Sequence, residues 1–446
     1  MAERLSARAV LDAVADGFVE LAGPLYGGGA EDGDGPIGWE GYGAARDRAR
    51  ERTGERESVV CGTGTVDGVP AVLIAFEFAF LGGSLGQRTG DRIEAAHRHA
   101  REARLPVVSL IATGGSRMQE GMRALVQLQR VARQSALTRA AGLPQIAVAR
   151  DPTTGGGWAT LGAGSDVVLA LPGAQVAFAG SRVRPPGADP AAYGAEGKLA
   201  AGQVDRIVAP DELRDVLGRW LSLLTSPADG PVEPPRALGT AFGPPESGRE
   251  AVERARSPHR PRADAYLDAY FETREEISGD RRGGTDPGMR CGFGRRRGRT
   301  VAYAAQCGTP TLPAGFRTAA RLIRLADRLG IPVLTLVDTP GAANDEAAER
   351  SGAGAAIAEA FAAVAEARVP VTTLVVGEGG SGGALALAAP DDTWVTPDAY
   401  FSVIAPESAA AILKRGPERV GATADELRLR PQDLVELGVA RGIVAP

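Results

Sequence analysis

Twice in this chain a short apolar run ends in consecutive glycines and passes straight into small, helix-compatible residues. Gly155, Gly156 and Gly157 precede WATLGAGSDVVLAL, and Gly379, Gly380, Gly382 and Gly383 precede ALALAAP. Backbone N–H groups at a helix start have no intrahelical partner and point outward. The helix dipole adds partial positive charge there, and glycine lets a ligand approach the backbone closely. Such a nest binds an anion, or an oxygen that gains charge during a reaction. One well-placed donor contributes about 3–4 kcal/mol to transition-state stabilisation. Either turn alone reads first as a packing device. A phosphate is a third occupant, but neither GxGxxG nor the P-loop pattern GxxxxGK[ST] is read at these turns, so no mononucleotide or dinucleotide site is expected. Two matched nests favour a reaction that holds two oxyanions.

Other residues carry weaker signals. Arg117, Gln119 and Glu120 follow the Gly114-Gly115 turn; Glu120 reads either as a base or as a carboxylate satisfying a helix start. Asp391-Asp392 follows Pro390 and reads as a solvated turn rather than a metal site. Asp338, at a strand end, is expected to cap the next turn. Trp158 either lines a pocket or fills the core. No Ser/His/Asp arrangement is supported.

The elements that position the glycines recur. LPVVSLIATGG (105–115) is a buried strand, 118–141 is helical, and LPQIAVARDPTTGG (143–156) is a second strand. IPVLTLVDTPG (331–341), helix 352–367 and VPVTTLVVGEGGSGG (369–383) repeat that order. The spacing from Pro106 to Pro144 equals that from Pro332 to Pro370, so Pro106 corresponds to Pro332 and Pro144 to Pro370. This pattern predicts an internal duplication of one α/β domain. Residues 1–60 form an N-terminal flanking segment, with a loop at 27–38 and a charged helix face from Arg46 to Glu57. The first domain is 61–226, opening with a hairpin that turns at Asp67-Gly68. A Pro/Gly-rich linker covers 227–262, and the second domain 263–446.

With 44% hydrophobic and 24% charged residues, the 446-residue chain has the composition of a globular protein. Net charge is −5, which argues against nucleic acid as a partner. Three cysteines (Cys61, Cys291, Cys307) and three histidines (His97, His99, His259) lack metal-ligand spacing, so neither a metal site nor a disulfide framework is expected. No apolar run is long enough to cross a membrane, so no span is expected, and the start lacks a signal-peptide core. A cytoplasmic setting fits. Lysine occurs only at Lys198 and Lys414, against 48 arginines, which confines lysine-based covalent chemistry to two positions.

Long stretches resemble a known family. FEFAFLGGSLGQRTGDRI, ATGGSRMQEGMRALVQLQR, DPTTGGGWATLG and VAFAGSRV (76–183) are similar to the carboxyltransferase β subunit of acetyl-CoA carboxylase. HRPRADAYLDAYF, GFGRRRGRTVAYAAQ, LADRLGIPVLTLVDTPGA, GEGGSGGALALA and YFSVIAPESAAAIL (259–413) are similar to its α subunit. Together they cover about three quarters of the chain, in the β-then-α order of fused acyl-CoA carboxyltransferases. The resemblance implies two crotonase-like ββα-spiral domains and transfer of carboxylate between carboxybiotin and the α-carbon of an acyl-CoA. It implies that Gly155 and Gly156 stabilise one oxyanion, and Gly382 and Gly383 the other. Gly114, Gly115, Arg117, Arg182, Gly341, Gly379 and Gly380 would bind substrate around them. Biotin would accept the proton, so no side-chain base is required. Active sites would form between two protomers of a homodimer or larger assembly.

The chain also departs from that family. It has no four-cysteine zinc ribbon, AQCGTPTLPAG (305–315) is short and uncharged, and Ala343, Asn344 and Asp345 replace a Tyr-Pro-Gly. Ser181 replaces a proline, and 184–197 is shortened. Neither lysine sits in a biotinyl motif and no ATP-binding domain is visible, so a biotin carboxyl carrier protein and a biotin carboxylase are expected as partners. Two alternatives stand beside carboxyl transfer: biotin-independent decarboxylation of a malonyl-type thioester, and a non-catalytic subunit that kept the fold.

Overall fold

The computed structural model describes residues 4–23, 33–239 and 243–446. Residues 27–32 of the expected 27–38 loop lie outside them. The chain divides into two units, Met1–Thr225 with Arg281–Gly283, and Ser226–Asp280 with Gly284–Pro446.

The first unit is an eight-stranded sheet, ordered β1-β2-β3-β4-β5-β6-β8 with β7 beside β5. β1 (Asp16–Glu20), β2 (Val59–Val66) and β3 (Val69–Phe76) are antiparallel neighbours. β4 (Val107–Thr113), β5 (Gln145–Thr154), β6 (Val167–Ala170), β7 (Val176–Ala177) and β8 (Arg206–Ile207) continue in parallel. Parallel strands covered on both faces read as unbroken apolar runs, and every residue of β4 is buried. The helices Gln87–Ala103 and Gln127–Ala140 pack together over this sheet, and Val72, Ile74, Phe76, Ile93, Val107 and Val131 share one core.

The second unit repeats the plan. β9 (Thr273–Glu276), β10 (Met289–Arg296) and β11 (Arg299–Gln306) are antiparallel. β12 (Val333–Thr339), β13 (Val371–Gly380), β14 (Thr393–Val395), β15 (Tyr400–Ser402) and β16 (Gly442–Ile443) follow in parallel. The strand order is β16-β14-β13-β12-β11-β10-β9, with β15 beside β13. Val107 pairs with Gln145 and Val333 with Val371, so the register that relates the prolines also relates the paired strands. The ladders even break at matched places, between Ile111 and Thr113 and between Val337 and Thr339. The opening hairpins stand in a different register, since the Val59–Phe76 pair corresponds to the Met289–Gln306 pair. The long helices return to the common register, with Gln87 matching Pro313. The second half therefore has a shorter connection between its hairpin and its long helix.

Three expectations change in detail. The segment before residue 60 is not merely flanking: β1 extends the sheet, and the helix Ala7–Val14 buries Ala7, Val10, Leu11 and Val14. The stretch 227–262 is not merely a linker. Pro227 bridges to Thr300, Ala237 N–H donates to the Ala445 carbonyl at 2.9 Å, and the helix Gly248–Arg256 buries Ala251, Val252 and Ala255. The helix expected over 118–141 breaks at Gly121, whose φ of +54° a side chain would strain, and long regular helix begins at Gln127. In the charged run, the helix Tyr42–Thr53 buries Arg46 and Ala49 and exposes most of its other charges.

Candidate active site

Each unit gathers its glycines where the parallel strands end. In the first, Thr113 closes β4 and its Oγ1 accepts the Gly115 N–H at 3.1 Å. In the second, Thr339 Oγ1 accepts the Gly341 N–H at the same 3.1 Å. The Gly115 carbonyl receives the Leu85 N–H at 2.9 Å, and the Gly341 carbonyl the Thr311 N–H at 3.0 Å. These two first-half bonds thus have their counterparts at the equivalent positions of the second half. Both strand-to-helix turns pass through the left-handed region at matched positions, Gly155 at φ +63° and Ser381 at φ +56°.

Close backbone approach explains the glycines. A Cβ on Gly155 would stand 2.8 Å from Gly115 Cα, and one on Gly380 2.1 Å from the Pro340 carbonyl oxygen. A Cβ on Gly383 would stand 2.3 Å from Ala342 N, and one on Gly379 would meet the Phe401 ring at 2.6 Å. Gly382 has open space there and is exposed. Its counterpart Gly156 is buried, with the Leu128 side chain against it; the second-half equivalent of Leu128 is the exposed Gly354. Gly156–Gly157 and Gly382–Gly383 fall in the first turns of the helices Gly155–Gly157 and Ser381–Leu385, where N–H groups have no intrahelical partner. Gly155 differs: its N–H donates to the Phe178 carbonyl at 3.0 Å. Gly377, Gly379 and Gly382 fall in a GxGxxG spacing, but the first two lie inside β13 rather than in the turn after it.

The remaining candidates separate clearly. Gly114 donates to the Gly82 carbonyl at 2.8 Å, so the loop Leu81–Leu85 belongs to this site; its LGGSLG composition was the signal. Arg182 is exposed on the short turn Ser181–Val183. Arg117 is buried in a cluster with Tyr42, Glu57 and Glu120, and Glu120 accepts from Tyr42 Oη and Gln87 N at 2.6 Å each. Trp158 belongs to the core. Asp338 is fully buried and ion-paired with Arg260 at 2.6 Å. Burial raises its pKa, with the two arginines Arg260 and Arg262 opposing. Asp392 accepts from Thr372 Oγ1 and Trp394 Nε1. Among the described residues no cluster of His, Cys, Asp and Glu could hold a metal, and no helix is long and apolar enough to cross a membrane.

Two family profiles match the chain along these same halves. Residues 38–224 match the carboxyl transferase domain, and 247–446 the acetyl co-enzyme A carboxylase carboxyltransferase-like family. The acetyl-coenzyme A carboxylase carboxyl transferase subunits beta/alpha of Saccharopolyspora erythraea are 40% identical over 421 residues, covering 89% of this chain and 73% of that protein.

The chain belongs to the acetyl-coenzyme A carboxylase carboxyl transferase family.

The corresponding protein of Salinispora tropica is 41% identical, covering 89% of this chain and 74% of its own length. Transcarboxylase 12S, solved as a hexamer with methylmalonyl-coenzyme A and methylmalonic acid bound, superposes with a TM-score of 0.78 at 22% identity. That match covers 99% of this chain and 87% of the other. It shows the fold, two crotonase-like domains.

Proposed function

We propose that this chain is the carboxyltransferase component of a biotin-dependent acyl-CoA carboxylase. It moves carboxylate between a carboxybiotin presented by a carrier protein and the α-carbon of an acyl-CoA. The observation that carries this reading is the pair of helix-start nests, at equivalent positions of two strand ladders that share one register. In the carboxylating direction the carboxyl group leaves the ureido nitrogen, which takes the α-proton, and the α-carbon takes the carboxyl group. Charge therefore develops on two oxygens, the thioester carbonyl and the ureido carbonyl. Each finds backbone donors without a side-chain base.

The residues present fit a ureido oxygen at the second nest: Gly382 is exposed with nothing within 4 Å of where a Cβ would stand. The buried Gly156 nest suits an enolate, which needs shielding from water. A cavity of about 860 Å³ in the first unit suits the phosphates of CoA. Five arginines, Arg8, Arg50, Arg56, Arg88 and Arg92, line it with three glutamates. Exposed Phe178, Val183, Val403 and Ile412 favour association of copies into a dimer or larger assembly.

The test is incubation of the purified chain with malonyl-CoA, with and without free biotin, following carboxylate loss by mass spectrometry. Biotin-dependent turnover is expected. Turnover independent of biotin would overturn the reading in favour of a decarboxylase, and absence of turnover with malonyl- and methylmalonyl-CoA alike in favour of a non-catalytic subunit.

A further inference from the structure

Arg117 is among the largest side chains fully withdrawn from solvent, at 1% exposure, and nothing in the chemistry above uses it. Burying a guanidinium costs several kcal/mol unless charges and acceptors surround it. Here they do. Glu57 takes both terminal nitrogens, one of them at 3.1 Å, and Glu120 Oε1 lies 3.2 Å from Nη1. Burial alone would raise the Glu57 pKa; the charge and hydrogen bonds of Arg117 hold it below the ordinary carboxylate range.

The guanidinium also reaches towards the glycines. Its Nε donates to Ser84 Oγ at 3.1 Å and its Nη2 to the Ser84 carbonyl at 2.7 Å. The Arg117 backbone N–H donates to the Leu85 carbonyl at 2.9 Å. Ser84 closes the turn whose Gly82 carbonyl receives the Gly114 N–H. Gly115 follows, and a Cβ there would lie 3.5 Å from Gly155 Cα and 4.0 Å from Gly156 N. A path of named contacts thus runs from the buried cation to the oxyanion nest. Gly86 makes room for it: a Cβ there would stand 2.4 Å from Glu120 Oε1 and 2.7 Å from Arg117 Nη1.

The second half supplies an internal comparison. Ala343 stands at the position equivalent to Arg117, the connection after the hairpin is shorter, and Pro340, which has no N–H, replaces Gly114. Arginine, long turn and Gly114–Gly82 bond occur together in one half, and all three are missing from the other.

We propose that Arg117 is a positioning residue that fixes the Gly82–Ser84 turn against the Gly114-Gly115 step and so sets the wall of the first nest. This rests on the carboxyl-transfer reading for its effect on rate, but not for its effect on the turn. Its donors are taken within the chain, which supports a positioning role in place of the substrate-binding role that the family resemblance implied. The test is Arg117→Lys in the full chain, which keeps the charge and loses the fork. With malonyl-CoA and free biotin, kcat is expected to fall by about 30- to 100-fold while KM for biotin holds, as for a site about 1 Å out of place. Amide hydrogen exchange over Leu81–Leu85 is expected to speed up by about tenfold. Ser135→Ala, which removes a buried 2.7 Å bond to Gln145 elsewhere in the unit, serves as the control: it lowers stability and leaves kcat unchanged. A kcat within about threefold of the parent, or unchanged exchange at 81–85, overturns the proposal. If the parent chain itself shows no turnover, carboxyl transfer fails, and the exchange measurement alone decides about Arg117. If Arg117→Lys does not fold, Ser84→Ala takes its place, with smaller shifts in the same two readouts expected and unchanged readouts overturning it.

Discussion

Replacing Gly383 by alanine tests the second nest by moving it. The new Cβ would stand 2.3 Å from Ala342 N, 2.8 Å from Gly341 C and 3.0 Å from Ala342 Cα. All three are backbone atoms beside β12, and β12 is paired on both sides, by β11 and β13. It cannot yield. The helix Ser381–Leu385 has only five residues and can. To restore ordinary contact it must retreat by about 1 Å, carrying the Gly382 and Gly383 N–H groups with it. A reacting geometry misplaced by about 1 Å loses about 100-fold in rate, and complete loss of one donor about 10²–10³, or about 2.7–4 kcal/mol. We expect kcat for biotin-dependent carboxylate loss from malonyl-CoA to drop by about 100-fold, with a stability loss of about 1–3 kcal/mol from overpacking. Gly382→Ala is the matched comparison. Nothing lies within 4 Å of its Cβ and its φ is ordinary, so thermal unfolding should not change, while the methyl intrudes on whatever binds in front. A Gly383→Ala protein whose kcat stays within about threefold of the parent would refute the use of this nest.

His97 predicts an acid limb in stability. Burial, with the Arg101 charge adding to it, pushes its pKa down to about 4. The folded state then binds fewer protons than the unfolded one between about pH 6.5 and 4. Stability is full above that window and falls by up to about 3 kcal/mol as pH drops through it; urea titrations of the parent against His97→Gln should show the limb flatten. Asp338→Asn leaves Arg260 buried without its counter-charge and should cost about 3–5 kcal/mol by denaturant unfolding. Arg56→Glu reverses one charge on the wall of the arginine-lined cavity. It should raise KM for malonyl-CoA about tenfold with kcat held, and salt should mask the difference.

What the sequence revealed and what it hid have physical causes. The duplication was legible because buried parallel strands leave unbroken apolar runs, and the prolines at 106, 144, 332 and 370 mark where each begins. The glycines at 155, 380 and 383 were legible because the backbone contact there tolerates no Cβ. β1 was not, since DGFVE is a largely exposed edge strand with no inward-facing alternation. The helix Gly248–Arg256 was hidden by the prolines around it. The engagement of Gly155 N–H by Phe178 depends on β7 returning beside β5, a non-local pairing. The burial of Arg117 was not legible, because it depends on carboxylates far away in sequence; Glu57 is 60 residues distant.

The contrast between Leu128 and Gly354 has a consequence for the lifetimes of what the two nests hold. A carbanion formed against a hydrocarbon side chain is out of reach of bulk protons and persists long enough to meet its electrophile. On the proposed assignment, a group held at the exposed Gly382 would stay hydrated and depart without a side chain having to swing aside. One half would thus retain what it holds and the other release it, and Leu128, whose equivalent is Gly354, marks the difference between them.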